Sequence, residues 1–314
     1  MKQPYTNLDE VVEGARHLAR THRARMAAVL AEDVNVLAAI RDAYDAGFAT
    51  GILIGSREKI RQTAEKAGID ISPFEIVHCV TDEEAAKEAM KRASAGAVEV
   101  LMKGKISTPK LLKTLLAREY RLRLCNTLSH VAVVRTPAYP KLFGCSDGGM
   151  VMVPTLAQKV EILQNILSVW HALGISRPRV AVLAAVNEVV TDFSSARDAA
   201  ILSHMGTRGV FGEAWVDGPL TVDTALSPEA AARLPFKSEV AGQADILLAD
   251  SIETGNMLMK GIIHFGVADF AGLIVGAKVP VSLVSRADSA RNKKLSLALA
   301  VVYSLGLRGK GGAA

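Results

Sequence analysis

The stretch "VPVSLVSRADSARNKK", residues 279–294, changes abruptly from an apolar run to Ser285, Arg286 and Asp288. The run reads as a buried strand, and the stripe Leu295, Ala298, Leu299 and Val302 reads as one face of a helix starting near Asp288 and closing near Leu305. At such a junction a guanidinium, a hydroxyl and free backbone N–H groups converge, which suits an anion the size of phosphate. Asp288, Arg291 and Asn292 then occupy the polar N-terminal end of that helix. A plainer arrangement fits the same residues: Ser285 or Asp288 caps the helix, and Arg286 pairs with a surface acid.

Four more polar clusters adjoin apolar runs. In "LMKGKIST", Lys103, Gly104 and Lys105 leave a strand while Ser107 and Thr108 precede a helix. That pattern suits either an anion site or an ordinary N-cap beside solvated lysines. In "CNTLSHVAVV", Asn126, Thr127, Ser129 and His130 offer several neutral donors and one titratable imidazole, where a lone histidine is more often structural. "CSDGGMVMVP" puts Asp147 on a glycine turn, where aspartate often bonds only its own backbone. "ETGNMLMKG" sets Asn256 and Lys260 four residues apart on one helical face beside Gly255, which permits close backbone approach; a surface helix would look the same.

The elements that must hold these residues alternate. "RMAAVLAE", "FATGILIGS", "FEIVHCV" and "VEVLMKG" read as strands, each followed by a segment with helical spacing. Four such units imply a mostly parallel sheet covered by helices, with ligands at the carboxyl ends of the strands. Between Tyr120 and Pro154 the alternation breaks: "HVAVVRT" and "KLFGCSDG" follow each other across "PAYP", predicting a hairpin or a domain crossover. A long helix then begins at Leu156, with Thr155 and Gln158 spaced as a capping box. Strands "RVAVLAAV", "ADILLAD", "AGLIVGA" and "VPVSLVS", with the short apolar stretch "EAWVDGPL" among them, complete the pattern.

At 314 residues the chain exceeds the usual limit for one hydrophobic core, so two lobes are expected. Half of the residues are hydrophobic and 22% are charged, which favours a large core over disorder. The formal charge is +5, and no segment concentrates basic residues as a nucleic-acid arm would. The excess suits small anionic ligands. The start shows no apolar signal-peptide centre, and no run approaches the roughly 18 apolar residues of a membrane span. Cys79, Cys125 and Cys145 are isolated, against both a disulfide framework and a thiolate metal site. Cys145 could be a nucleophile but fits better as a small buried hydrophobe. A cytoplasmic protein is expected. No G-x-G-x-x-G follows a strand, and neither a P-loop nor H-E-x-x-H occurs.

Taken together, "LMKG", "LSHVAVV", "SDGGMVMVPTLAQKVEILQN", "SSARDAA", "DGPLTVDTALS", "IETGNMLMKG" and "VGAKVPVSLVSRADS" resemble the phosphate acetyl/butyryltransferase family, particularly its phosphotransbutyrylase-like branch. The stretches occur in family order from about residue 98 onward. The resemblance implies an α/β fold of two α/β/α lobes with an interdomain cleft, similar to isocitrate and isopropylmalate dehydrogenases. The expected first lobe is 1–130 with 286–314, its final helix returning, and the second is 131–285. The implied reaction is acyl-CoA + phosphate ⇌ acyl phosphate + CoA, on an acetyl to butanoyl group, without a metal or redox cofactor. The implied partners are acyl-CoA and inorganic phosphate, with no nucleic acid or membrane and with assembly as a homodimer or larger homo-oligomer.

On that resemblance Arg286 grips phosphate and Ser285 donates to the developing oxyanion. Lys103, Gly104, Ser129, His130 and Asp147 line the substrate site, with Asn256 and Lys260 near the substrate or the cleft wall. One departure stands out: where the acetyltransferase branch has its proposed thiol base, seven residues after the motif serine, this chain has Asn292. Asp288 is the nearest carboxylate and lies one helical turn away. Alternatively the thiol, with an ordinary pKa of about 8.5, needs only electrostatic help. Two other readings remain: a non-catalytic relative that binds acyl-CoA or phosphate, and a metal- and NAD-dependent hydroxyacid dehydrogenase drawing on Asp147 and Asp250.

Overall fold

The computed structural model describes residues 3–283 and 289–311. The chain has a mixed α/β fold that divides into two compact units. Asp9–Cys125 with Ala271–Ala314 form the terminal unit, and Met1–Leu8 with Asn126–Phe270 form the central unit. The first part of the chain runs α1 (Leu8–Ala19), β1 (Ala24–Val29), α2 (Val34–Asp45), β2 (Ala49–Gly55), α3 (Arg57–Ala67), β3 (Glu75–His78), α4 (Asp82–Ser94), β4 (Val100–Lys103) and α5 (Thr108–Leu115). The central part holds β5 (Ser129–Arg135), β6 (Phe143–Ser146), α6 (Leu156–Ala172), β7 (Arg179–Leu183), α7 (Ser194–Thr207), β8 (Trp215–Leu220), α8 (Val222–Leu226), α9 (Pro228–Ala231), β9 (Ile246–Leu248) and α10 (Ile252–Phe265). The chain ends with β10 (Asp269–Val275), β11 (Val281–Ser282) and α11 (Ala290–Gly311).

In the terminal unit the strand order is β3-β2-β1-β4-β11-β10, parallel except for the antiparallel pair β10–β11. The expected alternation of strand and helix is realised, and its cause is visible in burial. Met26 to Val29 and Val100 to Met102 are fully buried, as a parallel sheet covered on both faces requires. The central unit orders its strands β5-β6-β9-β7-β8, with β5 and β6 antiparallel and the other pairs parallel. The break in alternation after Tyr120 is thus a hairpin. Thr155 and Gln158 form the expected capping box on α6, whose Trp170 is fully buried.

Two boundaries differ from the sequence expectation. Residues 271–285 were expected in the second lobe, yet Ala271 onward clusters with the terminal unit because β11 pairs with β4 and β10 with β11. The other boundary falls at Cys125/Asn126 rather than after residue 130, since Ser129 and His130 already belong to the β5–β6 hairpin. The last helix begins at Ala290, two residues after the expected start: the Ser289 hydroxyl accepts from the Asn292 N–H at 3.1 Å in N-cap fashion. Among the described residues no helix is long and apolar enough to cross a membrane.

Candidate active site

The antiparallel register of β5 and β6 sets Ala132 opposite Cys145, so the beginning of β5 lies beside the end of β6. Two motifs separate in sequence therefore meet. The Ser146 hydroxyl donates to the His130 carbonyl at 2.8 Å, and the His130 N–H donates to Asp147 Oδ1 at 3.1 Å. Asp147 is 2% exposed, and its carboxylate also accepts from Gly149 N (2.9 Å), Met150 N (3.2 Å) and Val151 N (2.8 Å). Burial raises the Asp147 pKa, opposed by these four backbone donors, which favour the charged form. The carboxylate is occupied in shaping its own loop, which gives Asp147 a scaffold role beside the substrate contact expected of it.

Ser129 is likewise engaged within the protein. It is fully buried, and its Oγ accepts from Asn165 Nδ2 at 3.0 Å; the same amide group donates to the Thr127 carbonyl at 2.8 Å. A hydroxyl so enclosed ties the start of β5 to α6. Asn165 was missed in the sequence, although an amide three residues after Ile162 and next to Ile166, on the apolar side of α6, was a readable signal. Asn126, next to Thr127, bonds Glu161 Oε1 through its N–H (3.1 Å) and its side chain (3.2 Å). His130 differs from these neighbours. Burial pushes its imidazole down to about 4, so it is neutral near pH 7. Among the described residues its ring has no hydrogen-bond partner, and its nearest aromatic neighbour is Phe270, centroid to centroid 6.4 Å.

Helix α10 supplies the third side of this cluster. A Cβ on Gly255 would lie 2.4 Å from the Asp147 carbonyl oxygen, so only glycine allows the helix to approach the loop this closely. Asn256 Nδ2 then donates to the Gly148 carbonyl at 3.0 Å. Lys260 follows one turn later and is exposed. His130, Asp147 and Asn256 are thus brought together at the carboxyl end of β6, with Lys260 on the adjoining helix.

In the terminal unit, Lys103 ends β4 and its Nζ donates to the Gly104 carbonyl at 3.2 Å. Gly104 N donates to the Val29 carbonyl at 2.9 Å, and a Cβ on Gly104 would lie 2.1 Å from the Leu30 carbonyl oxygen. The turn after β4 thereby lies against the end of β1. Ser107 caps α5 through the Lys110 N–H at 3.4 Å. The Asn292 carbonyl accepts from the Ser296 hydroxyl at 2.9 Å within α11. Beside it Lys293 is 7% exposed and donates from Nζ to Asn35 Oδ1 at 2.8 Å. Ser285, Arg286 and Asp288 lie outside the described residues.

Residues 144–148, Gly-Cys-Ser-Asp-Gly, spell the G-x-S-x-G pattern of hydrolase nucleophile elbows. Here Ser146 is fully buried at the end of a strand and donates to a backbone carbonyl, the wrong placement for a nucleophile. Cys145 is 1% exposed, and burial, aided by the charge of Asp147, pushes its thiol up to about 12, so it packs as a hydrophobe. Asp250 is engaged by Lys159 at 2.5 Å and Asp147 by its loop, which leaves neither in position to share a cation.

Residues 83–301 match the family model described as phosphate acetyl/butaryl transferase. A phosphate butyryltransferase of Clostridium acetobutylicum is 40% identical over 280 residues, covering 89% of this chain and 93% of that protein. A phosphate acetyltransferase of Thermotoga maritima is 37% identical, covering 95% of this chain and 99% of its own. Among solved structures, a branched-chain phosphotransacylase from Enterococcus faecalis V583 superposes with a TM-score of 0.80 at 32% identity, over 90% of this chain and 99% of that one. With a family match across most of its length and relatives this similar end to end, the chain belongs to the phosphate acetyl/butyryltransferase family.

Proposed function

We propose that this chain is a phosphate acyltransferase that moves a short acyl group, acetyl to butanoyl, reversibly between coenzyme A and inorganic phosphate. The observation that carries the reading is the 40% identity to a phosphate butyryltransferase along nearly the whole of both chains. Phosphate attacks the thioester carbonyl and the CoA thiolate leaves; in reverse, thiolate attacks the acyl phosphate and phosphate leaves. No electrons change hands, so the reaction as proposed calls for no redox cofactor, and the charge of the two anionic partners is assigned to the protein's own cationic side chains rather than to a metal. Two electron-rich partners must be held together, which makes positive charge and positioning the main contributions of the protein.

In this reading Arg286 grips phosphate, Ser285 donates to the oxyanion, and Lys103 adds charge beside the Gly104 turn. His130, neutral, offers a donor or an acceptor without competing for the anion, while Asn256 and Lys260 present further donors from α10. Asn292 cannot take the thiol proton, so Asp288 is assigned as the displaced base. The isocitrate/isopropylmalate dehydrogenase-like arrangement and the cytoplasmic location belong to the same proposal. Three cysteines without disulfide partners suit a reducing compartment.

A homo-oligomer is also proposed, with a second copy covering α10. Met257 and Phe265, 71% and 90% exposed, stand two helical turns apart beside a groove of about 1040 Å³ that includes Tyr139, Leu226 and Ile262 and has no lysine or arginine in its lining. Acyl phosphate and CoA incubated with the protein should yield thioester, and Asp288→Asn should slow that reaction. Unchanged turnover in Asp288→Asn would remove Asp288 from the base role, and no thioester from the unaltered protein would remove the activity itself.

A further inference from the structure

We infer that Lys159 is a positioning residue: its ion pairs fix the entry to α10, and through it the 146–152 loop that organises His130. The kinetic half of this inference rests on the acyl-transfer reading, and the structural half does not. Lys159 stands in the N-terminal turn of α6, is 4% exposed, and reaches Asp198 Oδ2 at 2.8 Å and Asp250 Oδ1 at 2.5 Å. The three residues come from α6, α7 and the carboxyl end of β9. Lys159 and Asp198 lie in "SDGGMVMVPTLAQKVEILQN" and "SSARDAA", two stretches whose chemistry the reaction leaves unexplained.

A buried ion cluster is a poor way to gain stability, since well-packed apolar residues often serve as well or better. What it supplies is direction: the lysine stem admits few geometries in which both carboxylates are met. Asp250 is held on one side by this cluster and is tied on both flanks to the loop. Ala249 N donates to the Ser146 carbonyl at 2.8 Å, and Ile252 N donates to the Met152 carbonyl at 3.0 Å. Ser251 starts α10 with a capping box to Thr254, and Gly255 and Asn256 then meet Asp147 and Gly148. A shift at Asp250 is therefore transmitted to both ends of the segment whose middle N–H groups converge on Asp147.

Asp250→Asn tests the linkage in the intact protein, because it keeps the side-chain shape and leaves Lys159 and Asp198 as a one-to-one pair. Amide hydrogen exchange at Met150 and Val151 should accelerate about tenfold, and kcat of acyl transfer should fall about tenfold with KM for acyl-CoA within about twofold. Asp250→Asn should add nothing in an Asn256→Ala background, since both act through the same contact of α10 with the loop. Unchanged exchange at Met150 and Val151 in Asp250→Asn would overturn the linkage whatever the activity. Accelerated exchange with unchanged kcat would overturn the kinetic role. If the unaltered protein transfers no acyl group, the functional reading fails while the exchange data still decide the linkage.

Discussion

The backbone N–H of His130 donates to the carboxylate of Asp147 at 3.1 Å, joining two residues 17 apart in sequence across the β5–β6 hairpin. The contact fixes a division of labour. Asp147 spends its charge on four backbone donors, and its loop presents His130 as a half-buried imidazole that desolvation keeps neutral.

Titration of His130 should give a folded-state pKa of about 4, against about 6.5 when unfolded. The unfolded chain then binds the extra proton first, so His130 contributes stability above about pH 6.5 that is lost progressively as pH falls towards 4. His130→Gln should flatten that part of the stability profile, as read from denaturant midpoints across the range. A His130 resonance titrating near 6.5 in the folded protein would contradict the burial described here.

Gly255→Ala should be costly at a position where helix propensity alone favours alanine. The added Cβ would lie 2.4 Å from the Asp147 carbonyl oxygen, so α10 must withdraw from the loop. Overpacking of this kind costs roughly 1–3 kcal/mol, and displacement of Asn256 should lower kcat/KM roughly ten- to hundredfold. Thermal unfolding and steady-state kinetics on the same variant check both numbers.

Cys145→Ala should leave turnover within about twofold, since a buried thiol with a pKa near 12 has almost no thiolate at neutral pH. Alkylation of Cys145 in the native protein should proceed no faster than unfolding. Mass spectrometry of the labelled peptide reads this directly.

Phe265→Asp should dissociate the proposed homo-oligomer, because it places a charge on the highly exposed apolar residue that ends α10, beside the groove. Sedimentation velocity at several concentrations would show the change. An unaltered sedimentation coefficient would locate the interface elsewhere.

Much of the architecture was legible because buried parallel strands such as β1 and β4 read as uninterrupted apolar runs, and Thr155 and Gln158 marked the start of α6 locally. The unit boundaries were less legible. β11 pairs with β4, about 180 residues earlier in the chain, and carries β10 with it through their antiparallel pair; a distant pairing of that kind leaves no local pattern. At the site, residue types were readable but not their roles. Asp147 and Ser129 looked like ligands because polarity shows in sequence and enclosure does not; both proved buried and engaged. Lys159, an unremarkable lysine in a helix by sequence, is one of the few buried charges.

The most direct test of the account mixes purified protein with acetyl-, propanoyl- or butanoyl-CoA, with and without phosphate, and follows release of free thiol. The expected result is thiol release that requires phosphate for at least one of the three thioesters and that collapses in Arg286→Ala. Absence of phosphate-dependent thiol release from all three would contradict the assignment as a phosphate acyltransferase.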